Sequence, residues 1–253
     1  MKVEIIKCLQ DNYSYLLINE KNQNACVVDP SEAQPIINFV EKKNINLKFI
    51  LNTHHHHDHV GGNKKLKQKY NSKVVGSKID EFRIPEIDLK LSEGDFFKFG
   101  KINFEIIFIP GHTRGHIAFF SQSEKIIFTG DTLFSLGCGR IFEGTYEQMF
   151  ASLNKIKKLP SSTKIYCGHE YTKNNYEFCI RYDGKNRFLQ KKLNWINFQL
   201  NNSEPTVPIS LSDELKTNIF LRCDSLPVKE ALGMNNASDE VIFKKLRDLK
   251  DHF

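Results

Sequence analysis

At 253 residues the chain sits at the upper edge of one domain, long enough for one large domain or one with a small appendage. Hydrophobic residues make up 40% and charged residues 26%, the balance of a globular protein, and no apolar run approaches the roughly 20 residues a membrane span needs. The formal charge of +6 is spread out, with 23 basic and 19 acidic residues up to position 172 and 13 and 11 beyond it. A concentrated basic arm is therefore absent and no nucleic-acid partner is expected, although the bias suits a small anionic substrate.

The start, Met1-Lys2-Val3-Glu4-Ile5-Ile6-Lys7, carries acid within its apolar stretch and reads as a first strand, not as a signal peptide. Short apolar, β-branched and aromatic runs predict strands at 15–18, 25–28, 49–51, 104–109, 117–120 and 125–128. A helix is expected over 35–43, with Ile36, Ile37 and Val40 on one side. A second carries Tyr146, Met149, Phe150, Leu153 and Ile156 as a stripe, behind a capping box of Thr145 and Gln148. Strands and helices mixed in this way predict a layered α/β protein.

After about Tyr171 the texture changes. Leu189, Leu193, Ile196 and Leu200 form an amphipathic stripe, and a proline-bearing connector follows over 203–208. Ser238 then caps a last helix bearing Ile242, Leu246, Leu249 and Phe253. We place a boundary here, with one domain over 1–172 and a smaller helical one over 173–253. Six cysteines lie far apart with no C-x-x-C pair, the pattern of reduced, mostly buried thiols in an intracellular protein, and cytoplasmic localisation is expected.

Of nine histidines, five fall within six positions: His54, His55, His56, His57 and His59, with Asp58 among them. A tag would sit at a terminus, and a polar low-complexity tract would not follow a buried strand directly. A core cluster of so many imidazoles would leave hydrogen-bonding groups unmet. Metal binding remains. In an extended loop, i and i+2 face the same way, so His54 and His56 can ligate one ion while Asp58 and His59 project toward another. Imidazole and carboxylate suit Zn²⁺ but also Fe²⁺ or Mn²⁺. More ligands are offered at three predicted strand ends, each behind a glycine: Gly111-His112, Gly130-Asp131 and Gly168-His169.

The pattern H-x-H-x-D-H, followed by a lone His, a lone Asp and a final His, resembles the metallo-β-lactamase superfamily. That resemblance implies a four-layer αββα sandwich with a dinuclear metal site, here with a small all-helical C-terminal domain. It assigns His54, His56 and His112 to one metal, Asp58, His59 and His169 to the second, and Asp131 to both. The cofactors implied are two metal ions, with zinc expected and iron or manganese as alternatives. Longer strings narrow the family: Gly130-Asp131-Thr132-Leu133-Phe134, Gly137-Cys138-Gly139-Arg140, Gly168-His169-Glu170-Tyr171-Thr172 and Glu204-Pro205-Thr206-Val207-Pro208 are similar to glyoxalase II, the hydroxyacylglutathione hydrolases. The implied reaction is hydrolysis of S-D-lactoylglutathione to D-lactate and glutathione by a hydroxide shared between the metals, with Asp58 and Asp131 acting through it. The implied glutathione contacts are Arg140, Phe142, Tyr171, Arg247 and Lys250.

The chain departs from the family at two of these. Lysine is usual where Arg140 stands, and tyrosine where Phe142 stands, so a weaker or rearranged hold on the glutathione backbone is expected. His55 and His57 occupy x positions and are expected to point away from the metals. Asp29 could orient a ligand histidine or simply make an Asp-Pro turn, and His116 could support a ligand. Nothing around Cys138 argues for a nucleophile. Rival readings are a lactamase, a tRNA-processing type of nuclease, a one-iron persulfide dioxygenase lacking the helical tail, and a metal-free binding module. The missing export signal, the missing basic surface, the tail and the full ligand set argue against them in turn.

Overall fold

The computed structural model describes the whole chain, Met1–Phe253. It divides into two compact units, one comprising Met1–Phe108 and Gly115–Gly130, the other Ile109–Arg114 and Asp131–Phe253. No helix is long and apolar enough to cross a membrane.

The first unit runs β1 (Lys2–Cys8), β2 (Asn12–Asn19), β3 (Asn24–Val28), α1 (Ala33–Lys42), β4 (Asn46–Leu51), α2 (His57–Val60), α3 (Asn63–Tyr70), β5 (Lys73–Ser77), β6 (Ile87–Leu91), β7 (Phe96–Phe99), β8 (Ile102–Phe108), β9 (Ile117–Ser121) and β10 (Ile126–Gly130). Strands β1 to β6 form one sheet in sequence order, antiparallel from β1 to β3 and parallel from β3 to β6. Strands β7 to β10 form an antiparallel meander.

The side-chain period of two decides which layer each residue joins. Leu16 and Ile18 of β2 pack with Val27, Ile50 and Val74 against Ile36, Ile37 and Val40 of α1 and Leu66 of α3. Tyr15, one position away, meets Phe128 of the other sheet at 5.5 Å between ring centroids, and Phe49 meets Phe97 at 5.1 Å. Strand β2 is buried on both faces, as a strand between a helical layer and a second sheet must be. Fully burying each such aliphatic contributes about 1.5–3 kcal/mol.

The second unit holds β11 (Leu133–Phe134), β12 (Gly137–Cys138), α4 (Tyr146–Lys157), β13 (Lys164–Cys167), α5 (Thr172–Tyr182), α6 (Arg187–Asn201), β14 (Ile209–Ser210), α7 (Leu211–Thr217), α8 (Leu226–Ala231) and α9 (Asp239–Asp251). The capping box at α4 is complete: the Thr145 hydroxyl accepts from Gln148 N, and the Gln148 side chain reaches back to the cap. Such a cap is worth about 1 kcal/mol. Ser238 caps α9 by accepting from Val241 N. The buried side of α9 differs from the expected stripe. It is Ile242, Phe243, Leu246 and Arg247, whereas Phe253 is 40% exposed. Phe243 is drawn inward by an aromatic cluster, 5.5 Å from Phe150 and 6.1 Å from Phe220.

All six cysteines are free and buried. Burial pushes the Cys138 thiol up, and pushes Cys167 and Cys179 to about 12, so none is poised as a nucleophile.

Candidate metal centre

In the first unit, β4 delivers the chain through Asn52 and Thr53 into the histidine segment, and α2 begins at His57. The residue before that helix, His56, keeps φ −58 and ψ 144. The His54 and His56 rings accordingly lie together, 4.8 Å between centroids, as the i, i+2 spacing requires. The first helical turn then presents Asp58 and His59, with His59 Nε2 3.5 Å from Asp58 Oδ2 and its ring 4.2 Å from His54. His57 is exposed.

The orientation of these rings comes from Asp29. It follows β3 at φ 48, a left-handed position that Asp tolerates. Its carboxylate accepts from Thr53 N at 2.8 Å, Thr53 Oγ1 at 2.6 Å and His59 Nδ1 at 3.1 Å. Asp29, His54 and His59 do offer ligand atoms within 4.8 Å of one another. With three donors already on it, however, the Asp29 carboxylate acts to support His59, making Nε2 the ligand atom. Thr53 extends the chain of control. Its one hydroxyl proton goes to Asp29, so the oxygen accepts from His54 Nδ1 at 3.0 Å and sets the same tautomer there. Asn12 holds Asp58 by donating to both its carbonyl oxygen and Oδ2 at 3.0 Å. His116 is fully buried and stacks on His54 at 4.6 Å with a 15° tilt. Gly130 makes room: at φ 46, a Cβ there would lie 2.3 Å from Thr53 Oγ1 and 2.8 Å from the His116 ring.

In the second unit, His112 follows Gly111, whose φ of 148 and contact with Met149 admit no side chain. His112 Nδ1 donates to Arg140 O at 2.8 Å, which turns Nε2 toward Asp131 Oδ2 at 3.6 Å. His169 Nε2 lies 3.2 Å from the same oxygen. One carboxylate oxygen thus lies within 4 Å of two imidazole nitrogens. His169 is steadied by Tyr171, stacked at 4.8 Å and 2°, and by the edge of Phe134. These donors fit a metal ion: imidazoles, of which those of His54, His59 and His112 have their tautomers set by an acceptor at Nδ1, with carboxylates beside them.

The expected glutathione contacts all lie in this unit. Phe142 is 62% exposed, its ring 5.1 Å from that of His112, and Tyr171 is 37% exposed. The largely exposed Arg140 has Nε 3.7 Å from Asp251 Oδ1. Lys250 reaches Asn174 Oδ1, and burial followed by the charge of Arg247 lowers its pKa to about 8. Arg247 is buried: its NH1 donates to Cys138 O at 2.7 Å and its NH2 to Asp251 Oδ1 at 2.9 Å.

The family model of the metallo-beta-lactamase superfamily matches residues 10–169, and that of the hydroxyacylglutathione hydrolase C-terminus matches residues 170–253. A curated hydroxyacylglutathione hydrolase from Pelagibacter ubique is 54% identical over 253 residues, covering 100% of both chains. The chain belongs to the hydroxyacylglutathione hydrolase family.

Among solved structures, ETHE1 from Myxococcus xanthus superposes with a TM-score of 0.71, covering 98% of this chain and 91% of that one at 21% identity. That likeness shows the fold alone. TTHA1623, solved in a di-iron-bound form, gives a TM-score of 0.56 at 26% identity over 67% of this chain and 92% of its own. The metallo-β-lactamase fold with a helical C-terminal region is as the sequence led us to expect, and the donor set makes this a metal-binding member of the family. Asn12, Phe134 and the Thr53 hydroxyl were not foreseen as parts of the site. Asn12 lies 46 positions from Asp58, and no local pattern marks it.

Substituting Asp29→Asn removes the charge that holds Thr53 and His59. Metal affinity, measured by competition with a chelator, should fall about 10- to 100-fold. An unchanged affinity would remove Asp29 from the support of this site.

Proposed function

We propose that this hydroxyacylglutathione hydrolase family member is a thioesterase that converts S-D-lactoylglutathione to D-lactate and glutathione at a dinuclear metal site. The observation that carries the reading is full-length identity of 54% to a curated hydroxyacylglutathione hydrolase, extending through the helical C-terminal part. In this reading residues 1–172 form the catalytic domain and 173–253 the helical substrate-binding domain. By the family resemblance, His54, His56 and His112 would hold one ion, Asp58, His59 and His169 would hold the other, and Asp131 would serve both. Zinc suits these donors best, with iron or manganese as alternatives. The six buried free thiols support a cytoplasmic location.

Bound cations would supply an activated water near neutral pH and polarise the thioester carbonyl. The chain's own residues do the rest. Asn12 keeps Asp58 Oδ2 in place, where it can hold the proton of the attacking water. Asp131 and its two imidazoles hold the other side. The leaving thiolate has a conjugate acid of pKa about 8.5, so it departs without a dedicated acid. Arg140, Phe142, Tyr171 and Lys250 contact the glutathione moiety with one cation each from Arg140 and Lys250, matching its carboxylates. Arg247 adds charge and fixes the carbonyls of Cys138 and Gly139 beside Arg140.

The direct test is an assay of the metal-loaded protein on S-D-lactoylglutathione beside a chromogenic lactam and an RNA. Rapid thioester hydrolysis with the other two untouched is expected. Turnover of the lactam or the RNA without the thioester would overturn the assignment.

A second expectation concerns pH. The Lys250 cation is present below about 8 and lost above it. With Lys250 gripping a carboxylate, kcat/KM should decline as pH rises through about 8. In Lys250→Arg, which stays charged, that decline should be absent. The same decline in both proteins would remove Lys250 from the substrate contacts.

A further inference from the structure

The turn after β5 carries a carboxylate that neither the ligand set nor the glutathione contacts use. Asp80 closes the 3-10 turn Lys78–Asp80 and is fully buried. Its Oδ2 accepts from His55 Nδ1 at 3.2 Å, and its Oδ1 from Arg83 NH2. A buried carboxylate is tolerated where such donors meet it, and removing a donor is expensive. Its placement follows from the sheet. Strands β4 and β5 are parallel neighbours, and Asn52 N donates to Val75 O at 2.8 Å just beyond β4. Their C-terminal ends therefore lie side by side, one feeding the histidine segment and the other the Asp80 turn.

A second contact involves the segment that carries His116. A Cβ at Gly115 would come within 2.1 Å of Asp80 Oδ1, so only glycine lets that backbone pass. The next residue, His116, stacks on His54. Asp80 thus touches both the residue after His54 in sequence and the backbone beside His54's stacking partner.

We infer that Asp80 is a positioning residue for the metal-binding segment and acts through His55. The i, i+2 pair His54 and His56 shares a side only while the residue between them stays extended. Pinning the His55 ring to a rigid, buried anchor holds the backbone between the two ligands, whose rings lie 4.8 Å apart. One of the two histidines that the H-x-H-x-D-H pattern leaves unassigned thereby has a task. Its ring faces a carboxylate instead of an ion. The inference rests on reading this segment as a metal site, but not on the identity of the substrate.

The test compares the wild type with Asp80→Ala, His55→Ala and the double variant. Zinc affinity is measured by competition with a chromogenic chelator, alongside KM for S-D-lactoylglutathione. Each single variant should bind zinc about 10- to 100-fold more weakly with KM unchanged, and the double should be no worse than Asp80→Ala alone. His55→Ala is the decisive protein. It leaves the Asp80–Arg83 pair in place, and circular dichroism with a thermal melt establishes that the variant is folded before its zinc affinity is compared. If His55→Ala binds zinc as the wild type does, or if the two losses add in the double variant, the inference is overturned. A wild type that binds zinc yet leaves glutathione thioesters intact would sink the substrate reading and leave this one standing.

Discussion

Asp29 places one buried carboxylate beneath two consecutive elements of the metal site. It takes the Thr53 amide, the Thr53 hydroxyl and the His59 ring, and through the hydroxyl it also decides which nitrogen of His54 carries the proton. Imidazoles brought this close would otherwise be free to choose tautomers and rotamers that point their lone pairs apart. Fixing the outer nitrogen of each ring converts a cluster of side chains into a set of donors with one shared direction. The same device recurs once in the other unit, where the Arg140 carbonyl takes His112 Nδ1, while Tyr171 stacks on His169 and steadies the plane of its ring.

The sheet makes such support available. Parallel strands β3, β4 and β5 end on one side, so Asp29, the histidine segment and the Asp80 turn emerge together although they are far apart in sequence. Glycine handles the crowding that results. Gly115 passes against Asp80, Gly130 passes between Thr53 and His116, and Gly139 lies so near Asp131 that a Cβ would fall 1.9 Å from its carbonyl oxygen. These are positions where a methyl group would push a ligand or its support out of place.

Much of this was legible in the sequence, for identifiable reasons. Strands β1 to β4 and β8 to β10 announce themselves as apolar runs, and α4 through a complete capping box. The candidate ligands stand out because five histidines packed into six positions suit metal binding and little else. Strands β5 to β7 were not foreseen: β6 is partly or wholly exposed along its length, so it lacks an apolar pattern. The supporting residues were harder still. Asn12, Asp80 and Phe134 act at distances along the chain that only folding closes, and a single Asn, Asp or Phe carries no signature. Arg247 shows a different limit. The family resemblance implied a glutathione contact for it, but its guanidinium is buried in the unit, on the Cys138 and Gly139 carbonyls.

The proposed two-ion centre depends on Asp131 serving as the ligand common to both. Metal-stripped protein titrated with zinc, followed by calorimetry and by bound-metal analysis, tests that claim most directly. The wild type should take up two equivalents tightly, and Asp131→Asn should retain one or none with a matching loss of thioester hydrolysis. If Asp131→Asn bound two equivalents as tightly as the wild type and kept full activity, the shared-ligand arrangement would be contradicted.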